Sequence, residues 1–492
     1  LTDRQIQDKH DRLPVKPPIW KKLRRDQKIC FLIGAETKRF FIMSDPGCGK
    51  TLISIALISY FAKLRKNRRI LVLVPRRITK SEWAREISKH SDIDYEVLPS
   101  SSEDKWACLE STKALIVVET YQGLMSLLCD RLPSKKKAGR NKWKPSEKLI
   151  KRLMQNIDGL IMDEVTEAKH RAKLPFRICR QISKRVGIVY ALSGTPFGRN
   201  PEDLWAQMFL VDEGETLGPT LGLFREAFFT KSENGFGGFD YKIDKTKMGK
   251  LNNMLANRSI RYTADSCDLP KVVPIVKYVP LSHDAEVYYD STWKKLVALK
   301  QGNVKEMRNE FLRLRQISSG FLGYHDDELG IKAQIEFNGN PKLDLLLSII
   351  ETIPKEYKVL VFHDFIFSGS IISRELDVAG IKHVRLTSKT KNPDQLLKQF
   401  DEDDATQIFV LNTAGAFGLN LQRAKYGLYY ESPVPVIMRT QMTRRFERQY
   451  SLHKNVFLYD LIVRNTVDED ILTFHKEGKD LFQAIIEGHK PK

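Results

Sequence analysis

"SDPGCGKT", Ser44 to Thr51, stands between the apolar run "RFFIMS" and the long apolar stretch "LISIALISYFAKL". That order is a buried strand, a glycine-rich turn and a helix. Glycines let the backbone curl until several N–H groups face one phosphate at the positive end of the helix. Gly47, Cys48, Gly49, Lys50 and Thr51 are therefore the candidate nucleotide-binding residues. Lys50 would reach the outer phosphates, and the Thr51 hydroxyl would bind magnesium. The plainer alternative is an ordinary strand-to-helix turn. The usual template has a glycine where this chain has Ser44, but the strand and helix on either side favour a phosphate cradle.

A second stretch, "LIMDEVTEAKH" from Leu160 to His170, ends an apolar run in two adjacent carboxylates. Acids are also favoured in the first turn of any helix, where they face its positive end. With a phosphate loop upstream the pair acquires a use, because a bound nucleotide needs a carboxylate for magnesium and a group to orient the attacking water. Asp163 is assigned to magnesium through water, and Glu164 to the lytic water. Both would sit at the carboxyl end of a parallel strand, where ligands collect.

The remaining pattern extends this arrangement along the chain. The apolar runs "RFFIMS", "RILVLVP", "KALIVVE", "GLIMDE" and "GIVYALS" alternate with helical stretches, and "KVLVFHDF", "HVRLTS", "QIFVLNT", "YGLYYE" and "NVFLYDLIV" repeat the theme later. Two parallel sheets covered by helices are expected. The expected organisation is an arm over 1–20, a first lobe over 21–212, a mainly helical insertion over 213–339, a second lobe over 340–475 and a tail over 476–492. A chain of 492 residues with 42% hydrophobic and 29% charged residues has material for at least two cores. Its formal net charge of +20 creates a field that attracts polyanions, which makes nucleic acid the leading partner. No apolar run is long enough to span a bilayer, and no secretory signal is visible. The six cysteines lack paired spacing, which argues against a zinc site or a disulfide framework and for a reducing interior. The sequence begins at Leu1 rather than Met.

The order of these motifs resembles the superfamily 2 helicases, and within them the Swi/Snf-type duplex-DNA translocases. "LVLVPRRITKSEWAREISKH" is similar to the segment that follows the family's phosphate loop, "IVVETYQGL" to its next nucleic-acid-contacting segment, and "LSGTPFGRNPEDLW" to its Gly-Thr-Pro turn with a following Leu-Trp pair. "NTAGAFGLNLQRA" resembles the family's Gly-rich turn, and "QMTRRFERQ" its arginine-finger helix. The resemblance implies two RecA-like lobes in an α/β chain, with ATP and Mg2+ as cofactors. It puts arginine fingers at Arg445 and Arg448, facing the nucleotide across the interlobe cleft. Nucleotide contacts would come from Gln27, Gly418 and Gln441, with Gln27 reading adenine. Ser193 and Thr195 would relay closure between nucleotide and track, against an ordinary turn after a strand. Nucleic-acid contacts are implied at Arg76, Thr120 and Thr413.

The chain departs from the family in Thr166, which replaces the usual His, and in Arg444, where relatives often have Gly or Asp. The "RIGQ" ending and appended histone-reader modules are absent from the sequence given. A minimal bacterial or viral motor on duplex or branched DNA, indifferent to base sequence and monomeric when free, is the expected function. A strand-separating DNA or RNA helicase and a nucleotide-gated DNA-binding module are the alternatives. The expected location is the cytoplasm or nucleoid, or the host cell interior for a viral protein, and not outside the cell.

Two basic segments carry weaker signals. "KKKAGRNKWKPSEK" could contact phosphate through Lys142 and stack Trp143 on a base, or be a solvated loop. The helix bearing Arg308, Arg313 and Arg315 could lie along a duplex, or be an amphipathic core helix with solvent-facing arginines. No histidine has metal-ligand spacing, and nothing resembles a nucleophile triad or a nuclease carboxylate cluster.

Overall fold

The computed structural model describes residues 1–45, 47–64, 69–75, 77–132, 142–194, 200–233, 239–263, 269–299, 304–326, 331–387, 390, 392–412, 419, 421–447 and 451–477. It forms two compact units, Leu1–Asp268 and Leu269–Lys492.

In the first unit the strands are β1 (Arg39–Ser44), β2 (Arg69–Val74), β3 (Tyr95–Val97), β4 (Ile116–Thr120), β5 (Cys129–Leu132), β6 (Lys142–Pro145), β7 (Ile157–Met162), β8 (Ile188–Ser193), β9 (Phe229–Glu233), β10 (Phe239–Ile243) and β11 (Ser259–Tyr262). Seven of them make one parallel sheet in the order β11-β1-β8-β7-β2-β4-β3. The pairs β5–β6 and β9–β10 are separate antiparallel hairpins. The central strands are buried on both faces, as helices on each side of a parallel sheet require. The two-residue period of a strand then divides the core. Phe41 and Met43 point into one cluster with Phe176, Trp205 and Phe224, while Phe40 and Ile42 point into the other with Phe31, Ile53 and Trp83.

The second unit contains β12 (Lys271–Val279), β13 (Phe321–Asp326), β14 (Ile331–Glu336), β15 (Lys358–His363), β16 (His383–Leu386), β17 (Ile408–Asn412), β18 (Ala424–Tyr429) and β19 (Asn455–Val463). Its parallel sheet runs β12-β19-β18-β15-β17-β16, with β13–β14 as a hairpin beside it. The α/β class with two parallel-sheet lobes is thus the observed architecture. The division between units falls inside 213–339, the stretch expected as an insertion, because β11 completes one edge of the first sheet and β12 one edge of the second.

In the two parallel sheets, the strands that apolar patterning did not flag are edges. β3, β11 and β12 each have partly exposed residues along their length. An edge strand needs no continuous apolar run, and Pro274 fits β12 because an edge has ladder positions that need no donor.

Candidate nucleotide-hydrolysis site

β1 delivers the chain to the phosphate loop. Gly47 and Gly49 have φ of 86° and 80°, a region that a Cβ disfavours, so both positions call for glycine. Ser44, by contrast, ends the strand and is absent from the positive-φ residues. Extended backbone accepts its side chain, which explains how serine can replace the template's first glycine. The helix Lys50–Leu64 starts at the end of the loop, and the first N–H groups of any helix lack acceptors within it. Lys50 Nζ crosses the loop to donate to the carbonyls of Ser44 at 2.7 Å and Asp45 at 3.4 Å.

Gln27 is fully buried behind this loop. Its Oε1 accepts from the Arg24 N–H at 3.0 Å, and its Nε2 donates to the Cys48 carbonyl at 3.3 Å. Arg24 reaches the same carbonyl and pairs with Asp26 at 2.6 Å. Both ends of the Gln27 amide are therefore used by its own chain, and reading a base would require exchanging those bonds.

The acidic pair follows β7. The Asp163 N–H continues the ladder to Leu73 O at 2.8 Å, and its Oδ2 accepts a 2.8 Å bond from Nε1 of Trp83. Tyr121 OH donates to the Asp163 carbonyl at 3.0 Å. Burial first, and then the neighbouring Glu164 charge, push the Asp163 carboxyl up to about 6, while the Trp83 bond and the Lys50 charge act the other way. Glu164 has φ 47° and ψ 61°, a left-handed conformation that is uncommon for any side chain other than Asn, Asp or Gly. It turns the chain sharply into the short helix Val165–Ala168, and Thr166 Oγ1 closes back on the Glu164 carbonyl at 3.4 Å.

Register brings the motifs together. β8 lies between β1 and β7, and pairs Ser193 with Met43 on one side and Ala191 with Met162 on the other. Ser44, Asp163, Glu164 and the fully buried Ser193 consequently reach the same carboxyl rim of the sheet. Among the described residues no group of three or more His, Cys, Asp or Glu is arranged to hold a metal by itself. A magnesium ion at this rim would be shared between Thr51, Asp163 and the nucleotide's own phosphates, the usual way such an ion is held.

Other expected residues are placed differently. Thr120 is buried, and its Oγ1 caps the helix Tyr121–Leu128 by accepting from Gly123 N at 2.8 Å. Trp143, on β6, is 48% exposed. Lys142 is also in β6, but its side chain lies outside the described residues, as do Arg76, Thr195, Thr413, Gly418 and Arg448. In the second unit Gln441 and Arg445 lie four residues apart on the helix Val436–Phe446, hence on one face. Arg444 pairs with Glu447 at 2.8 Å. That helix is anchored by Arg439, whose guanidinium meets both Asp460 oxygens at 2.6 and 2.7 Å.

One expectation is overturned outright. Arg315 does not face solvent along the helix Val304–Ser318; it is buried, pairs with Asp364 at 2.9 Å and donates to the Ser432 carbonyl at 2.9 Å. Two sets of contacts went unrecognised in the sequence, that of Trp83 with Asp163 and those of Glu119 with two lysines. Glu119 is a buried carboxylate held by Lys80 at 2.6 Å and Lys105 at 2.8 Å. Neither residue has a spacing signal, since both act on chain distant in sequence.

With this geometry in hand, comparison with known proteins decides the family: the SNF2-related domain matches residues 26–320. The chain belongs to the SNF2-related family. As an SNF2-family chain it is 23% identical over 486 residues to "Putative protein p41" of Acyrthosiphon pisum secondary endosymbiont phage 1, covering 93% of this chain and 96% of that one. It is 24% identical over 484 residues to the transcription regulatory protein SNF2 of Saccharomyces cerevisiae, covering 91% of this chain but 26% of that protein. The chain thus spans nearly all of the phage protein and about a quarter of the yeast one. A solved Sulfolobus solfataricus SWI2/SNF2 ATPase core in complex with dsDNA aligns with 95% of this chain and 93% of its own length, at 19% identity and a TM-score of 0.40. The SNF2-family match spans the parallel sheet of the first unit, which carries the glycine-rich turn and the acidic pair, and runs on into the second unit.

Proposed function

We propose that this SNF2-family chain is an ATP-hydrolysing motor that moves along duplex DNA and remodels forks, branched DNA or DNA-bound proteins. The observation that carries the reading is the common rim of Lys50, Asp163 and Glu164, a cation that spans the glycine-rich turn and acts on the charge of Asp163, beside two carboxylates of different surroundings. In this reading Lys50 binds the outer phosphates, while Thr51 and Asp163 hold the magnesium that neutralises them. Glu164 orients the attacking water. Arg445 and Arg448 supply positive charge to the transition state, and Gln441 and Gly418 contact the nucleotide. Ser193 and Thr195 couple that chemistry to the DNA-bound segments, which include Arg76 and Thr413.

The +20 net charge supports a polyanionic track, and a backbone followed without opening suits a translocase. Among the described residues no helix is long and apolar enough to cross a membrane. The natural setting of such a motor is the cell interior, cytoplasm or nucleoid.

The test is ATP turnover measured side by side with duplex DNA, single-stranded DNA and RNA, together with displacement of a third strand from a triplex. Stimulation by duplex DNA with triplex displacement supports the motor. Strand separation without triplex displacement, or stimulation by RNA alone, moves the chain to the helicase reading. No stimulation by any nucleic acid removes the motor.

A further inference from the structure

From Ala168 to Arg185 the chain has seven Lys and Arg and no Asp or Glu. This segment holds the helix Leu174–Ser183, with Lys173 as its N-cap and Lys184 as its C-cap. Its inner face, Phe176, Ile178, Cys179 and Ile182, is buried in the core of the first unit. Its outer face is a cationic row. Lys173, Arg177, Arg180 and Lys184 are all exposed, and their spacing of four, three and four places them on one side of a helix. Lys169 and Arg185 at the ends are neutralised by Asp203 and Glu147. The four in the row have no carboxylate partner among the described residues.

The β5–β6 hairpin adjoins this row, because β6 packs against the same helix. Cys129 and Pro145 are cross-strand partners at its base, as are Arg131 and Trp143 further out. Alternation along a strand puts all four on one hairpin face. Cys129 is buried in the core and close enough to Arg177 to feel its charge. The outer part of that face carries the exposed Arg131 and the exposed Trp143 ring. The hairpin's Asp130 is paired with Lys144 in register and lies on the opposite face.

We infer that the row Lys173–Arg177–Arg180–Lys184, with Trp143 beside it, is an accessory surface for a nucleic-acid phosphate backbone on the first unit, apart from the nucleotide site. At a rise of 1.5 Å per residue the row is about 16 Å long, and one DNA strand presents a phosphate every 3.4 Å or so along its axis. Four unpaired cations over that length face about five phosphates, a match that needs no base contact. The aromatic ring adds a surface on which an unpaired base or sugar can rest. The surface holds the track close between steps and gives the motor grip that does not depend on bound nucleotide. This inference rests on DNA as the track.

Binding of a labelled duplex, measured by fluorescence anisotropy without nucleotide across a range of salt, tests it. The triple variant Lys173→Gln, Arg177→Gln, Lys184→Gln leaves Arg180 over the Phe209 ring, where it packs at 5.0 Å. Wild-type turnover in the absence of DNA and an unchanged melting temperature would confirm that the variant is folded. Its affinity for duplex should fall roughly tenfold or more at moderate salt, and the slope of log affinity against log salt should shrink by about 2 to 3, since each neutralised phosphate contributes about 0.9. The charge-keeping triple Lys173→Arg, Arg177→Lys, Lys184→Arg should bind like wild type. An unchanged slope in the glutamine variant overturns the inference, as does equal weakening by the charge-keeping variant. Displacement of the duplex by polyglutamate at matched charge would also overturn it, in favour of an acidic protein. Binding is scored apart from turnover. A chain that loses salt slope as described yet never displaces a triplex strand keeps the surface and loses the motor.

Discussion

Trp83 Nε1 donates a 2.8 Å hydrogen bond to Oδ2 of Asp163, across 80 residues of sequence. The indole is 1% exposed, so its packing fixes the donor and the donor fixes the carboxylate. One Asp163 oxygen is thereby committed, and the other is left to turn toward the rim. Trp83→Phe keeps an aromatic ring in the core and removes the N–H. A hydrogen bond to a charged group contributes about 1.5 to 3 kcal/mol, so turnover should fall about tenfold or more and the magnesium concentration for half-maximal turnover should rise. ATP binding measured in EDTA should be unchanged. Equal loss of binding with and without magnesium would mean that Trp83 acts through the fold instead.

Lys50 and Glu164 separate binding from chemistry. Lys50→Ala removes the cation that spans the phosphate loop and should abolish nucleotide binding along with turnover. Glu164→Gln should keep ATP binding while turnover falls by two orders of magnitude or more, because the lytic water loses the carboxylate that orients it. Equilibrium binding of a fluorescent ATP analogue beside steady-state turnover checks both. Wild-type hydrolysis by Glu164→Gln would remove that residue from the mechanism.

Asp163 carries a pH signature in stability. Its carboxyl is pushed up to about 6 from an ordinary value near 3.8, so the unfolded chain gives up this proton more readily than the folded one. Ionised Asp163 therefore costs stability above about pH 6, and the cost disappears as pH falls toward 4, where both states are protonated. Asp163→Asn retains an acceptor for Trp83 and removes the charge. The variant should be inactive but more stable at pH 7.5, on the order of 1 kcal/mol or more, which is a rise of a few degrees in Tm. Thermal melts from pH 4.5 to 8 should show the gap between variant and wild type closing at the acid end. A gap that is constant with pH would contradict the assignment.

Arg448→Ala should lower the turnover number by about a thousandfold while changing ATP affinity little, the mark of a charge that acts mainly in the transition state. DNA binding should survive. Arg445→Ala, measured in parallel, tells the two arginines apart: the one whose loss spares turnover is not a finger. Steady-state hydrolysis at saturating ATP is the readout.

Arg315 tests the corrected placement in the second unit. Arg315 is buried while its partner Asp364 is partly exposed, so removing the guanidinium forfeits charge-assisted hydrogen bonds worth about 1.5 to 3 kcal/mol. Arg315→Ala should therefore lower the Tm of the chain by several degrees, with no change in the salt slope of DNA binding. A reduced slope at unchanged Tm would return Arg315 to the nucleic-acid surface.

The sequence by itself determined the two parallel sheets, since strands buried on both faces must be continuous apolar runs, and "RILVLVP" and "QIFVLNT" became β2 and β17. It also determined the glycine-rich turn after β1, where Gly47 and Gly49 hold backbone angles that other residues resist. Those are local demands, and local composition expresses them. The tertiary structure alone decided which side chains meet across the chain. The edge strands β3, β11 and β12 take their place from a neighbour's open ladder rather than from their own apolarity. Trp83 finds Asp163, and Glu119 finds Lys80 and Lys105, because sheet order sets their elements side by side. Arg315 turns inward although its helix reads as amphipathic and basic, because Asp364 waits on a different element. A charge in a sequence has no address until packing supplies its partner, and burial then makes that partner obligatory.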